Sequence, residues 1–395
     1  VYEFKMPSLG ADMEDGTFVE WNVEPGQNVA RGQVICVVET QKGAVDVEIW
    51  EGGVLAKLIA SPGKKIPVGQ VMALVATAGE DWKAIAAAAP SPLPVGAPPA
   101  ATPVTGATER PAAALAASGA VPSSSGRLKV SPAARRRAAE LGIDLATLKP
   151  SGALAAVSMA DVESAAAATK PPDRQTAMRD AIAAAMSRSK REIPHYYLAN
   201  EINVECAASW LEKRNAALPI GDRVLFAAVE LKAVACALRE TPELNGFYER
   251  GAFRPGTGMH LGVAVSLRGG GLVAPALHDV DKLSLADLMV QLKDLLRRAR
   301  SGQLRSSEIA DPTITVTNLG DLGVETVFGV IYPPQVALVG LGRSTVKPWV
   351  VGGAVAPARV LQATLSADHR VSDGMRGARF LVELDRLLQQ PEGLA

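Results

Sequence analysis

Side chains able to do acid–base or nucleophilic chemistry are few in this 395-residue chain, which has four histidines (His195, His260, His278, His369) and three cysteines (Cys36, Cys206, Cys236). His369 stands in Ala367-Asp368-His369-Arg370-Val371-Ser372-Asp373-Gly374. An imidazole changes charge near neutrality, so it can take a proton from a thiol or hydroxyl nucleophile. Asp373, four residues on, can orient the ring or hold a turn through bonds to backbone. His195, in Ile193-Pro194-His195-Tyr196-Tyr197, is a second candidate base, but no acidic residue lies near it in sequence and it reads as structural. Thr317 ends the run Thr313-Ile314-Thr315-Val316-Thr317 before Asn318-Leu319-Gly320, where a hydroxyl can close a turn. Lys42, in Val38-Glu39-Thr40-Gln41-Lys42-Gly43-Ala44-Val45, sits at a polar tip between apolar strand residues and reads as a hairpin turn that presents an amine to solvent. The histidines are too scattered for a metal-site pattern. The cysteines form neither a CxxC nor a disulfide framework, which points to a reducing compartment, and Cys36 in the apolar run Val34 to Val38 reads as core.

The elements that must position these residues follow from periodicity. Leu361, Ala363 and Leu365 alternate with Gln362, Thr364 and Ser366, the signature of a strand. After Gly374 the period changes, and Phe380, Leu381, Leu384, Leu387 and Leu388 recur at helical spacing. His369 is therefore expected on a strand-to-helix turn. Upstream, helical patterns at about 174–190, 205–215, 222–240 and 283–300 alternate with strand-like runs at 195–203, 260–267, 272–277, 313–317, 335–341 and 360–366. A layered α/β domain over 174–395 follows. Its one glycine tract, Arg268-Gly269-Gly270-Gly271, lacks the GxGxxG spacing and reads as a turn between strands.

Residues 1–80 read as an all-β domain, with short strands punctuated by Pro25-Gly26, Arg31-Gly32, Gly52-Gly53 and Pro62-Gly63. From 84 to 126 the only charges are Glu109 and Arg110 and no aromatic occurs. Such a segment buries too little surface to offset its ordering entropy and is expected to be a linker. As a flexible coil it would span about 35–40 Å, and as a polyproline-like chain about 130 Å. Residues 127–164 read as a small helical unit: Ser131-Pro132 starts one helix, Gly142 ends it, and Met159 to Ser164 suggests a second. Lys plus Arg and Asp plus Glu both number 41, so no net field favours nucleic acid or an anionic membrane. No apolar run is long enough to span a bilayer, and a cytoplasmic protein is expected.

The string Asp-His-Arg-Val-Ser-Asp-Gly, with its His-x-x-x-Asp-Gly core, resembles the dihydrolipoamide acyltransferase component of the 2-oxo-acid dehydrogenase complexes; the core is shared with the chloramphenicol acetyltransferases. Pro7-Ser8-Leu9-Gly10, Gly16, Trp21, Pro25-Gly26, Gly53 and Gly69 resemble a lipoyl domain, which implies lipoate bound covalently to Lys42. The turn is Gln41-Lys42-Gly43 where that family usually has Asp-Lys-Ala, and it lacks the paired methionines of biotinyl domains. Val130 to Leu145 resembles a peripheral-subunit-binding domain, whose paired arginines, matched by Arg135 and Arg136, dock carboxylates of partner enzymes. Where that family commonly has Gly-Arg-Ile, this chain has Ala155-Ala156-Val157. The resemblance implies a chloramphenicol-acetyltransferase-like fold for 174–395, with His369 as base, Asp373 beside it and Thr317 as the donor to the oxyanion. It implies acyl transfer between a dihydrolipoyl thiol and coenzyme A without a metal. Acetyl is the acyl group expected first, and branched-chain acyl groups are left open. The implied partners are a 2-oxo-acid decarboxylase, dihydrolipoamide dehydrogenase and further copies of the chain, arranged as trimers in a larger cage with active sites between subunits. The competing reading is a non-catalytic scaffold that carries lipoate and docks partners.

Overall fold

The computed structural model describes residues 1–9, 13–40, 43–77, 80–87, 130–141, 145, 148, 157–169, 174–267 and 271–395. The chain divides into two compact units, one formed by residues 1–88 with 174–395 and the other by 89–173.

The N-terminal part of the first unit carries two sheets. One runs Tyr2–Lys5, Val71–Ala76, Gly53–Leu58, Asn28–Val29, and the other has Gly43–Glu48, Val34–Thr40, Asp15–Trp21 and Lys65–Pro67 as neighbours. Alternating residues of both sheets, among them Phe18, Ile35, Val38, Val47, Leu55 and Met72, fill one apolar cluster. Cys36 is part of it, and burial raises its thiol pKa, consistent with a core residue. Short strands such as Asn28–Val29 and Lys65–Pro67 carry too few β-branched residues to stand out in the sequence. The helix Trp82–Ala87 overlaps the first residues of the segment read as a linker; the rest of that segment lies outside the described residues.

The larger part of this unit is built on a mixed seven-stranded sheet. Its path is Ala276–Leu277, Leu261–Val263, Ile314–Asn318, Ala337–Leu341, Ala354–Asp368, Thr345–Val351, and His195–Asn203 pairs with the opposite edge of Ala354–Asp368. The helices Phe226–Ala237, Leu285–Ser301 and Gly374–Gln389 give Val234, Leu288, Leu292, Phe380 and Leu384 to the same apolar cluster as Val316, Val339 and Leu365 of the sheet. Leu285–Ser301 starts where Ser284 Oγ accepts from Asp287 N at 3.1 Å and stops at left-handed Gly302 (φ 73°).

The runs 260–267 and 272–277 are each broken in two. Leu261–Val263 and Ala276–Leu277 join the large sheet, whereas Val265–Ser266 and Leu272–Val273 form a separate hairpin. Pro275 has no N–H to give a ladder, and only its carbonyl is used, by Val263 N at 3.0 Å. The helix expected over 222–240 begins at Phe226, because Asn215 ties both backbone groups of Val224 and holds the preceding residues out of the helix.

In the second unit Pro132–Leu141 starts at Ser131, whose Oγ accepts from Ala134 N at 3.1 Å. Met159–Thr169 is opened by a reciprocal Ser158–Asp161 capping pair. Ala134, Ala138, Val157 and Val162 form its small core, and Arg135 and Arg136 are exposed. Ala155 and Ala156 lie outside the described residues.

Candidate active site

The strand Ala354–Asp368 delivers His369 into a turn, and the helix Gly374–Gln389 takes the chain away from it. That turn is clamped from several directions. His369 N donates to Pro194 O at 3.0 Å, and Val371 N and Ser372 N both donate to Asp368 O. Asp368 is fully buried, and its carboxylate accepts from Arg370 Nε at 3.0 Å and from Arg370 Nη2 at 2.6 Å. The Arg370 guanidinium in turn lies 4.0 Å over the Tyr248 ring. A fork on a carboxylate fixes geometry as well as charge, so the backbone around His369 has little freedom.

The His369 ring itself is exposed. It meets Tyr196 edge-on, with ring centroids 5.3 Å apart, and Tyr196 Oη is held by Ser372 Oγ at 2.9 Å. Asp373 caps the following helix: its carboxylate accepts from Arg376 N at 3.0 Å. Of the two roles open to Asp373 in the sequence, this geometry supplies the one that holds the turn.

His195 is engaged at both nitrogens. Nδ1 donates to Ile193 O at 2.8 Å, which leaves Nε2 to accept from Ile331 N at 3.2 Å. Burial lowers its pKa, because a charged imidazole there would be poorly solvated. A ring so occupied has no lone pair to take a substrate proton. His278 is likewise committed, to Asp311 Oδ2 at 3.0 Å, and its ring lies 5.0 Å from that of His260.

Thr317 is half-buried at the end of Ile314–Asn318. The turn after it is fixed by Asn318, whose Oδ1 accepts from Gly320 N and whose Nδ2 donates to Glu230 Oε2, both at 2.8 Å. Glu230 is a buried carboxylate on the helix Phe226–Ala237. Thr317 pairs with Gly340, which pairs with Thr364. Gly340 must be glycine, since a Cβ there would sit 2.3 Å from Val327 O and 2.4 Å from Thr364 Oγ1.

These pairings separate the two candidate groups. His369 lies two strands across and five residues along from Thr317, so their Cα atoms are about 15–20 Å apart within one chain. They also favour opposite sides of the sheet. Val316 enters the helix-covered core, so Thr317 faces away from it, whereas His369 rests on Tyr196, whose ring abuts Gly377 of the helix. One chain does not bring His369 and Thr317 together.

Lys42 lies outside the described residues. The strands on either side of it fit the expected attachment turn: Val34–Thr40 and Gly43–Glu48 are antiparallel, Thr40 and Gly43 are their last pair, and Thr40 Oγ1 donates to Gly43 O at 3.0 Å. Asp368, Arg370, Tyr196, Ser372 and Glu230 were not singled out from sequence. The signal for Asp368 and Arg370 was present, as a charged pair two residues apart around the histidine in an otherwise apolar strand end.

Among the described residues no group of three or more His, Cys, Asp or Glu side chains is placed to hold a metal ion, and no helix is long and apolar enough to cross a membrane.

Comparison with known proteins matches all three parts of the chain. Residues 171–395 match the family model for the catalytic domain of 2-oxoacid dehydrogenase acyltransferases, residues 2–75 a model described as biotin-requiring enzyme, and residues 128–163 the e3 binding domain. The dihydrolipoyllysine-residue acetyltransferase component of the pyruvate dehydrogenase complex of Zymomonas mobilis is 30% identical over 435 residues, covering 99% of each chain. The corresponding component of the acetoin cleaving system of Bacillus subtilis is 30% identical over 404 residues, covering 98% of each. The solved cubic core of a pyruvate dehydrogenase multienzyme complex superposes with a TM-score of 0.52 at 28% identity, over 55% of this chain and 90% of that one.

Proposed function

Because the chain belongs to the 2-oxoacid dehydrogenase acyltransferase family, we propose that it moves an acetyl group reversibly between a dihydrolipoyl thiol on Lys42 and coenzyme A. In this reading it is the core component of a complex that oxidises pyruvate or cleaves acetoin; both named relatives carry acetyl. Arg135 and Arg136, exposed on the helix Pro132–Leu141, engage carboxylates of the decarboxylase or of dihydrolipoamide dehydrogenase.

The observation that carries the proposal is the pairing of an exposed imidazole on a rigid turn with a hydroxyl it cannot reach in its own chain. His369 takes the proton from an incoming thiol, whose unperturbed pKa is about 8.5. The resulting thiolate attacks the thioester carbonyl of the second substrate, and Thr317 Oγ1 donates a hydrogen bond to the oxyanion that forms. The tetrahedral species collapses, the C–S bond to the carrier that brought the acyl group breaks, and that leaving thiolate recovers the proton from His369. The group on Lys42 supplies one of the two thiols when bound.

For His369 and Thr317 to act on one carbonyl, they must come from different copies of the chain. Two exposed features favour such an assembly. The ribbon of Thr345–Val351 and the first half of Ala354–Asp368 leaves Val346, Val350, Val351 and Val355 between 53% and 73% exposed. Tyr197 and Phe328 meet edge-on at 5.8 Å on the face of the sheet that also bears Thr317, and both are exposed. Apolar surface of this extent marks an interface.

The test is subunit mixing. His369→Ala and Thr317→Ala chains, each nearly inactive as pure assemblies, are expected to regain a measurable fraction of wild-type acetyl transfer when dissociated and reassembled together. Mixed assemblies as inactive as their parents refute the shared site. Mass spectrometry of chain co-expressed with a lipoylating enzyme should find a lipoyl adduct on Lys42, and Lys42→Arg should abolish it.

A further inference from the structure

The segment Leu304–Arg305 lies in the transferase part of the chain, between the helices Leu285–Ser301 and Ser306–Ala310, yet its ladder partner is in the N-terminal β domain. Leu304 pairs in parallel with Val45, and Arg305 with Asp46. Gly43–Glu48 has Val34–Thr40 on its other side, so without this partner it would be the edge strand of its sheet. An edge strand carries a row of unpaired N–H and C=O groups, and strand addition is how another segment satisfies them. We infer that Leu304–Ile309 is a docking surface for the Lys42-bearing domain of the same chain, read through strand addition and a buried carboxylate.

Side chains make the contact selective. Glu48 is only 7% exposed, and among the described residues the hydrogen bonds to its carboxylate come from across the contact. Its Oε2 accepts from Ser307 Oγ at 2.6 Å, from Ser307 N at 3.3 Å and from Ser306 Oγ at 3.5 Å, while Glu48 N donates to Ser306 Oγ at 3.1 Å. A carboxylate taken from water needs such partners, so a domain lacking the acid, or a surface lacking the two hydroxyls, loses more than one bond. Beside it Asp46 is half-buried, with Arg305 and Arg298 offsetting part of the negative charge that it shares with Glu308 and Glu48. Ile309 packs against the apolar clusters of both domains. The pairing spans only two residues on the transferase side. A contact that small suits a dock that opens and closes rather than a permanent joint.

The docked strand begins at Gly43, directly after Lys42 in the sequence. On the reading that Lys42 carries lipoate, the dock holds the loaded domain at the transferase between its visits to other enzymes and raises its effective concentration there. The dock itself does not depend on that reading.

Full-length, unlipoylated chain provides the test, so that a failure of docking and a failure of lipoylation give different results. The first measurement is amide exchange in the Ser306→Ala/Ser307→Ala double variant. Peptides covering 43–48 and 303–309 should exchange about tenfold faster or more, while 34–40 and 360–368 keep wild-type protection. Unchanged exchange at both peptides overturns the dock. The second is a disulfide between register partners, Asp46→Cys with Arg305→Cys, in a Cys206→Ser background to remove the exposed native thiol. Register partners on neighbouring strands fall within the ~4.4–6.8 Å Cα separation a disulfide accepts. Mild oxidation should close the bridge within single chains. Absence of a bridge, or a bridge that links two chains into a covalent dimer, overturns docking to the chain's own domain.

Discussion

His195 and His369 lie next to each other in space and could not be more differently employed. His195 is the register partner of Asp368, the residue immediately before His369. Yet His195 spends its N–H on Ile193 O and its lone pair on Ile331 N, while His369 keeps its ring exposed against Tyr196. The difference lies in what surrounds each ring, since the residue type and the strand pair are the same. A histidine whose two nitrogens are already satisfied is a cross-brace; one whose backbone alone is clamped is free to exchange a proton. Reactivity here is a matter of which part of the residue the fold immobilises.

The largest expected effect separates the two directly. His369→Ala should cut acetyl transfer to free dihydrolipoamide by about 10²–10⁴-fold, the usual cost of deleting a general base, with little change in thermal stability. His195→Ala should do the reverse: Ile331 N loses its acceptor, which costs about 1–3 kcal/mol, while turnover per folded chain stays near wild type. Steady-state kinetics beside thermal melts of both variants check this. A His195→Ala enzyme that melts normally but turns over slowly would move the base one strand over.

A smaller effect is expected at the other end of the sheet. Thr317→Ala should lower turnover by about 10²–10³-fold if its hydroxyl serves the oxyanion, with the melting temperature unmoved. Glu230 acts on this group through Asn318 and the turn it fixes, so it is a positioning residue. Glu230→Leu should reduce kcat by about tenfold or more through misplacement of the Thr317 turn, and Glu230→Gln, which keeps an acceptor for Asn318 Nδ2, should recover most of it. Loss of stability in both variants without the kcat difference would reduce Glu230 to a structural role.

The His369 turn was legible because its period changes from two to 3.6 across eight residues. The helix after it and the end of the strand before it emerge within about two residues of the expectation, whereas that strand begins at Ala354 and not near residue 360. What the sequence left open was the division of labour inside the turn. Asp373 stands at the spacing of an orienting acid, yet it is the first residue before a helix and is used as its N-cap, a competition that only the backbone conformation decides. The ribbon Thr345–Val351 escaped notice because its valines are interrupted by Pro348, and a proline demotes a run unless it lies on an edge, as it does here. The separation of Thr317 from His369 was equally invisible to local patterns. It follows from strand order, which joins segments from 195 to 368 and leaves no trace in the spacing of either motif.

The smallest expected effect concerns Asp373 and sharpens the distinction between clamped backbone and exposed ring. The bond from Arg376 N gives Asp373 the role of a cap, and aspartate and asparagine cap helices about equally well. Asp373→Asn should therefore leave stability almost unchanged, whereas Asp373→Ala should cost about 1 kcal/mol. If the carboxylate acts only on the turn, the pH dependence of kcat/KM, which reports the free enzyme's base, should be the same for wild type and Asp373→Asn. If instead its negative charge supports the imidazolium of His369, removing that charge would make the ring harder to protonate, and the acid limb of the profile, where the base is lost to protonation, would move to lower pH. Chemical denaturation of both variants, together with pH profiles on free dihydrolipoamide, distinguishes the two. A displaced limb in Asp373→Asn, together with an Asp373→Ala variant as stable as wild type, would return Asp373 to the histidine and take it from the helix.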